Sequence, residues 1–388
     1  MSNQPKTPLL IFGVYPESEG YPNIKYRLED LAKLEQFSIE TLHVPIWPDT
    51  ISNQPKSHRL KIAGRFITAH LIALYKFWHL PDKTRVYIPY PAVLLSFLMS
   101  WIPKKHRPKR LLLDAFISLY DTICLDRALL TPKHPLARVL FLIERRAYQF
   151  ATHVIVDTEQ NADFLSQLFK LPREKFVAIP LSTNEHNLAD PTLANTDNQP
   201  GHEILFVGTL IPLHGVEVIL GAIKLLADNP TLQFKIIGNG QQAPLIEEFI
   251  QTRPSNLIWI KEWQSQALLF EAIREADLCL GIFGSTSKTQ RVCPLKIYHY
   301  AACGRPIITA ETDWMRANVA NQNTPTFVLI PPGSAEELAN AINNLIAQPK
   351  TIEHLAQASR EFYRAHLSNQ RSIQQLVRLF DSLEERSS

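Results

Sequence analysis

The sequence predicts an α/β protein built as two doubly wound parallel domains, and three observations carry that prediction. Its 388 residues exceed what one ordinary compact core holds. Short apolar runs alternate with helix-period patterns from end to end, the rhythm of a parallel sheet covered by helices. Residues 182–200 turn polar, rich in Asn, Asp, Thr and Pro and without apolar periodicity, which reads as a linker.

Taken in order, the first half gives strands near Leu9–Val14, Ser38–Val44, Arg85–Pro89, Arg110–Asp114, His153–Val156 and Phe176–Ile179. Between them, apolar residues at three- and four-residue spacing predict helices near Asn23–Gln36, Leu60–Trp78, Ala92–Trp101, Leu136–Phe150 and Glu159–Lys170. Thr158 stands where the last of these needs an N-cap. The second half opens on Glu203–Val207 and continues with strands near Gln233–Ile237, Leu257–Ile260, Leu278–Ile282, Ile307–Thr309 and Thr326–Leu329. Helical patterns near Ala335–Ala347, Ile352–His366 and Asn369–Leu383 close the chain. The domains are therefore expected at 1–181 and 201–366, with residues 367–388 forming a final helix.

Composition narrows the function classes. Hydrophobic residues make up 45% of the chain, enough for two cores and too much for a disordered polymer. A net charge of +3 is close to balance and argues against a dedicated nucleic-acid binder. Cys124, Cys279, Cys293 and Cys303 show no CxxC spacing, which predicts buried free thiols in a reducing compartment. The first residues lack the layout of a signal peptide, so a cytoplasmic protein is expected.

The richest segment is Gly281–Thr309. An apolar strand runs into a Gly/Ser/Thr loop carrying Lys288 and Arg291, and a helix then starts near Pro294 with Lys296 in its first turn. Gly304 ends that helix before the next strand. Cations, small residues and a helix start at the carboxyl end of a strand suit an anion. A second glycine pair, Gly208 and Gly215, brackets the turn from the first strand of this half to its helix. Gly238 and Gly240, with Ala243, also fit a dinucleotide fingerprint, and Glu262 lies about twenty residues on. That pattern keeps a dehydrogenase open beside a simple turn lining a base.

Two runs carry a family resemblance. Pro294 to Ile308, reading PLKIYHYAACGRPII, resembles the donor-binding segment of family-4 glycosyltransferases, and Phe206 to Val216, reading FVGTLIPLHGV, resembles their first glycine loop. The resemblance implies the GT-B architecture: two Rossmann-like domains facing across a cleft, with the C-terminal helix returning to the first. It further implies a retaining, metal-independent transfer from a nucleotide diphosphate sugar, UDP- or GDP-linked, to a hydroxyl acceptor, with no other cofactor. Polysaccharide or cell-envelope synthesis is the implied setting. The donor would contact Gly208, Thr209, His214, Gly215, Gly238, Gly240, Lys288, Arg291, Lys296 and His299, and Gly20 and Tyr21 would face the acceptor. Lys296 and Arg291 would stabilise the leaving diphosphate, and Asp114 and Asp121 would orient the acceptor hydroxyl, unless the two carboxylates cap helices.

The chain departs from the family pattern at four positions. Thr209 and His214 stand where the pattern has Arg and Lys, and Arg291 and His299 occupy the two places of its Glu-x7-Glu pair. Lys288, Arg291 and Lys296 would then carry the diphosphate charge, and Lys296 is expected not to be needed to fill a core, so its loss should barely change stability. A non-catalytic nucleotide-sugar binder and a nucleotide-sugar epimerase remain alternatives. Ala92–Ile102, followed by the basic run Lys104–Arg110, reads equally as a core helix or as a peripheral contact with the inner face of a membrane, where a lipid-linked acceptor would lie.

Overall fold

Leu-, Ile-, Val- and Phe-rich runs form strands, and helix-period segments cross between them, in a computed structural model that describes residues 6–15, 22–45, 58–80, 84–185, 201–320 and 325–385. Gly20, Tyr21 and linker residues 186–200 lie outside the described residues. The chain divides into two units, one running to Ser182 and resuming at Ser372, the other spanning Thr183–Arg371.

The first unit contains β1 (Thr7–Gly13), α1 (Pro22–Ala32), β2 (Phe37–His43), α2 (His58–Trp78), β3 (Arg85–Ile88), α3 (Val93–Met99), β4 (Arg110–Asp114), α4 (Pro135–Phe150), β5 (His153–Val156), α5 (Glu159–Phe169) and β6 (Phe176–Ala178). Its parallel sheet has the order β2-β1-β3-β4-β5-β6, with Leu9 opposite Ile39 and Leu113 opposite Val154. Both faces are covered, which is why these strands read as nearly continuous apolar runs rather than alternating ones. Phe12, Ile88, Leu113 and Val156 point into a core with Phe77 of α2, Met99 of α3, Tyr148 of α4 and Phe169 of α5. Leu9, Ile11, Leu112 and Ile155 point the other way, toward Ile24 and Leu31 of α1.

α3 takes the core alternative. Val93, Leu95, Ser96 and Met99 are buried, so the helix itself cannot meet lipid, although Trp101 just beyond it is 72% exposed. The basic run starts as a 3₁₀ turn, Lys104–His106. Thr158 caps α5 by accepting from the backbone N–H of Asn161 at 3.1 Å. All four cysteines are buried free thiols, as expected.

The second unit contains β7 (His202–Val207), α6 (Val216–Leu225), β8 (Leu232–Ile237), α7 (Ala243–Phe249), β9 (Leu257–Ile260), α8 (Gln266–Glu275), β10 (Leu278–Leu280), α9 (Ser287–Arg291), α10 (Leu295–Ala302), β11 (Ile307–Ala310), α11 (Asp313–Met315), β12 (Val328–Ile330), α12 (Ala335–Ile346) and α13 (Pro349–Phe362). Its parallel sheet has the order β12-β11-β10-β7-β8-β9, so the winding reverses between β7 and β10. Open parallel sheets bind ligands outside the carboxyl ends of the strands at such a reversal. The last helix, α14 (Asn369–Glu385), places Leu376, Leu379 and Phe380 in the core of the first unit, with the Phe380 ring 4.8 Å from that of Phe37.

Candidate functional site

The loops after β7, β8 and β10 are laced together by backbone, and glycine makes the lacing feasible. Gly208 N donates to Ile237 O (3.0 Å), Leu210 N to Asn239 O (3.0 Å) and Gln242 N to Leu210 O (2.8 Å). A side chain at Gly238 would collide with the carbonyl of Gly208, and one at Gly240 would press on Leu210. On the other side, Phe283 N donates to His214 O at 3.1 Å and Gly284 N to Leu213 O at 3.3 Å. Gly215, at φ +66°, caps α6 in a left-handed conformation that suits glycine, with Gly284 directly against it. Thus Gly208, Gly215, Gly238 and Gly240 are brought together at the strand ends where the winding reverses.

Lys296 reaches into this cluster from the first turn of α10. It is only 7% exposed, and its Nζ sits 3.8 Å from the centroid of the Phe206 ring at the end of β7. His214 packs edge-on to the same ring at 5.5 Å between centroids. A Cβ at Gly208 would lie 2.8 Å from the ammonium, so the missing side chain is what admits the lysine. Its Nζ is buried and has no hydrogen-bond partner. Burial holds its pKa well below the ordinary lysine value of 10.5. A cation–π contact offsets only part of such a cost, and no acceptor pairs with the group. The expectation that Lys296 fills no core is therefore corrected: the side chain is inside.

α10 is held in place by its neighbours. Tyr300 Oη accepts from Val207 N at 2.8 Å, tying the helix to the end of β7 one residue before Gly208. Thr309 Oγ1 accepts from Ile282 N at 3.1 Å, in space left by the absent side chain of Gly281. Phe206 and Tyr300 thus position the site, and sequence reasoning passed over both. The signal was available, since each lies inside one of the two resembling segments.

His299 follows Lys296 by three residues and packs its ring 4.9 Å from that of Phe270 on α8. Its Nε2 is buried without a hydrogen-bond partner, and burial lowers its pKa from 6.5 to about 4. The ring is therefore neutral near pH 7, able to share a hydrogen bond with a hydroxyl. Arg291 and Lys288 sit on a short helix where the sequence suggested a loop. Thr286 caps it by accepting from Thr289 N, and Arg291 Nε donates to Ser287 O at 3.1 Å. Pro294 is the N-cap of α10 rather than inside it. Val292 packs with Leu213 and Ile282, which fastens the end of α9 to the turn before Gly215. Thr209 is exposed beside Gly208.

In the first unit, Asp114 ends β4 and is buried. Its Oδ2 accepts from Tyr87 Oη at 2.7 Å and its Oδ1 from Phe116 N at 3.1 Å, so it holds a local turn rather than the helix cap weighed for it. Asp121, also buried, begins a π-helical turn, Asp121–Asp126, and its backbone N donates to Ser118 Oγ at 3.2 Å. Among the described residues no group of three or more His, Cys, Asp or Glu could hold a metal ion.

Comparison with known proteins agrees with the geometry. Residues 201–348 match the family described as glycosyl transferases group 1. The O-antigen chain mannosyltransferase C of Escherichia coli is 24% identical over 240 residues, 60% of this chain and 62% of that protein. The chitobiosyldiphosphodolichol beta-mannosyltransferase of Debaryomyces hansenii is 25% identical over 301 residues, 70% of this chain and 62% of that protein. The chain thus spans about 62% of the length of these curated relatives. Among solved structures, a sucrose-phosphate synthase from Thermosynechococcus elongatus aligns with TM-score 0.71 and 18% identity over 98% of this chain and 100% of that one. Anabaena HepE in complex with UDP-glucose aligns with TM-score 0.64 and 16% identity over 97% and 99%. With its two parallel sheets, the chain has the GT-B fold. The match to group 1 supports the glycosyltransferase superfamily.

Proposed function

We propose that this chain is a glycosyltransferase that moves a sugar from a nucleotide diphosphate donor to a hydroxyl acceptor. One observation carries the reading: a buried ammonium without a hydrogen-bond partner, Lys296, among glycine loops at the winding reversal of the second unit. The donor, UDP- or GDP-linked, binds there. Its diphosphate draws Lys296 off the Phe206 ring, Arg291 and Lys288 add charge from α9, and His299 Nε2 takes a ribose hydroxyl. As the glycosidic bond breaks, negative charge grows on the leaving diphosphate, and the same cations stabilise it. Gly238 and Gly240 line the base side, and Thr209, His214 and Gly215 line the turn before α6.

The finer reading is that of a family-4, retaining, metal-independent hexosyltransferase working in polysaccharide or glycoconjugate synthesis at the cytoplasmic face of a membrane. Relatives named for an O-antigen chain and for chitobiosyldiphosphodolichol favour a lipid-linked saccharide as acceptor. The acceptor is assigned to the first unit, with Asp114 and Asp121 as its carboxylates. Screening nucleotide sugars for nucleoside diphosphate release, with chelator present and with product anomers read by NMR, tests each part. Acceptor-dependent release and a retained anomer are expected. Release without acceptor would instead identify an epimerase. A second reading, a non-catalytic nucleotide-sugar binder, is favoured by Thr209 and His214 standing where two fixed cations are expected. Tight nucleotide binding with no release from any donor would establish that reading and overturn ours.

A further inference from the structure

The helical layer of the first unit that contains α2, α3 and α4 has an unusual outer face. α2 buries Ala69, Ala73 and Phe77 in the core, yet its opposite side exposes Ile67 (59%), Leu71 (57%), Tyr75 (68%) and Trp78 (42%). Those four recur at helical spacing, so they form one stripe. α4 does the same with Leu136, Val139 and Leu142, each at least 51% exposed. Trp101 lies between the two helices in sequence, and the pieces are linked by contact. The Trp78 ring stacks on His106 at 4.3 Å, and the Arg146 guanidinium of α4 lies 5.7 Å over the Trp101 ring.

Among the described residues, the exposed charge on α2, α3, α4 and the turns joining them has one sign. α2 contains no carboxylate, and every carboxylate between Thr84 and Thr158 is buried: Asp114, Asp121, Asp126, Glu144 and Asp157. Lys76, Lys104, Lys105, Lys109, Arg138 and Arg146 are exposed. Beside Trp101 opens a cavity of about 350 Å³ whose lining includes Arg107, Lys109, Arg146, Gln149 and Thr152, with no acidic group. Arg107 and Arg146 spend part of their donors on Ser100, and Arg107 also bonds Ile102 O. With Lys109 they bring three cationic residues to the cavity lining.

We propose that this face docks on an anionic lipid surface, with the α2 and α4 stripes and Trp101 in the headgroup–acyl boundary and a lipid phosphate in the Arg107–Lys109–Arg146 cavity. An apolar patch ringed by cations and cleared of carboxylates complements that surface in both respects. A protein partner or a second copy of this chain would have to be strongly acidic and apolar together, which this basic face is not. The contact is peripheral, since no described helix is long and apolar enough to cross a membrane. It does not rest on the transferase reading, because binding is measured without donor or acceptor.

The test is cosedimentation of the whole chain with vesicles of phosphatidylcholine alone or mixed with phosphatidylglycerol, at low and high salt. Binding only to the mixed vesicles, weakened by salt, is expected. Leu71→Glu with Tyr75→Glu should lower it about tenfold or more, and Lys104→Glu with Lys105→Glu about fivefold per position. These residues are exposed, so unchanged melting confirms that each variant is folded. Binding by both variants at the wild-type level overturns the proposal. So does light scattering that shows a dimer, dispersed by Leu71→Glu with Tyr75→Glu, in a chain that ignores vesicles. Competition by soluble glycerol phosphate that abolishes sedimentation at unchanged salt would reassign the cavity to a free phosphate and overturn the lipid assignment.

Discussion

Glu144 in the first unit and Lys296 in the second are both charged side chains taken almost wholly out of water, and the two units treat them oppositely. Glu144 accepts from Leu119 N at 2.9 Å, Tyr120 N at 2.8 Å and Tyr148 Oη at 2.5 Å. Lys296 has a ring face and no acceptor. A buried charge with a full set of partners is a structural pin; one without them lowers stability until a ligand supplies them. The same parallel architecture, wound twice, therefore gives one buried side chain a full set of partners and leaves the other with only a ring face.

The comparison breaks first at Glu144. Glu144→Ala strands three donors and should cost roughly 3–5 kcal/mol, seen as a melting point lower by on the order of 10 °C. Wild-type melting of that variant would mean the turn beyond β4 does not need its pin.

Next is His299, where pH separates the states. Its folded pKa of about 4 lies below the ordinary 6.5, so between those values the unfolded chain binds a proton that the folded chain refuses. Stability from this group is complete above pH 6.5 and is lost as pH falls to 4. The loss amounts to roughly 2–3 kcal/mol. His299→Phe, which keeps the packing on Phe270, should flatten the melting-point curve across that window and weaken donor use. An unchanged curve would show that the ring does not titrate from a buried place.

Lys296→Met sharpens the contrast. Filling the same space without a charge should raise the stability of the ligand-free protein by about 1–2 kcal/mol. Donor use should fall ten- to a hundredfold, because a hydrogen bond to a charged group contributes about 1.5–3 kcal/mol. Early melting with wild-type donor affinity would make the lysine structural, like Glu144. The smallest effect belongs to Lys288→Ala. That half-exposed charge on α9 is screened, and its loss should change donor titrations by less than about threefold.

Much of the fold was legible because periodicity is local. The run Arg110–Asp114 was expected as a strand and forms one to the residue, and α12 and α14 lie where helix-period spacing put them. The candidate site was legible for a related reason: Gly208, Gly215 and Lys296 sit at loop and helix boundaries that residue type betrays. The burial of Lys296 was not legible. It depends on Phe206 and Gly208, far away in sequence, and on Tyr300 anchoring α10 to β7.

The turn at Ser287–Arg291 was missed because Thr286 and Thr289 close it through a hydroxyl pair that composition does not reveal. α2 shows the same limit from the other side. Its sequence is apolar around most of the helix, and only packing could decide that Phe77 goes inward while Tyr75 stays in solvent. Sequence alone determined the alternation of strands and helices, the two-part division and the glycines and cations of the candidate-site loops, because those follow from neighbours along the chain. Tertiary structure alone decided which buried charges find partners. Burial and hydrogen bonding are set by residues that meet only after the sheets have formed, and that difference separates the bonded Glu144 carboxylate from Lys296 on its ring face.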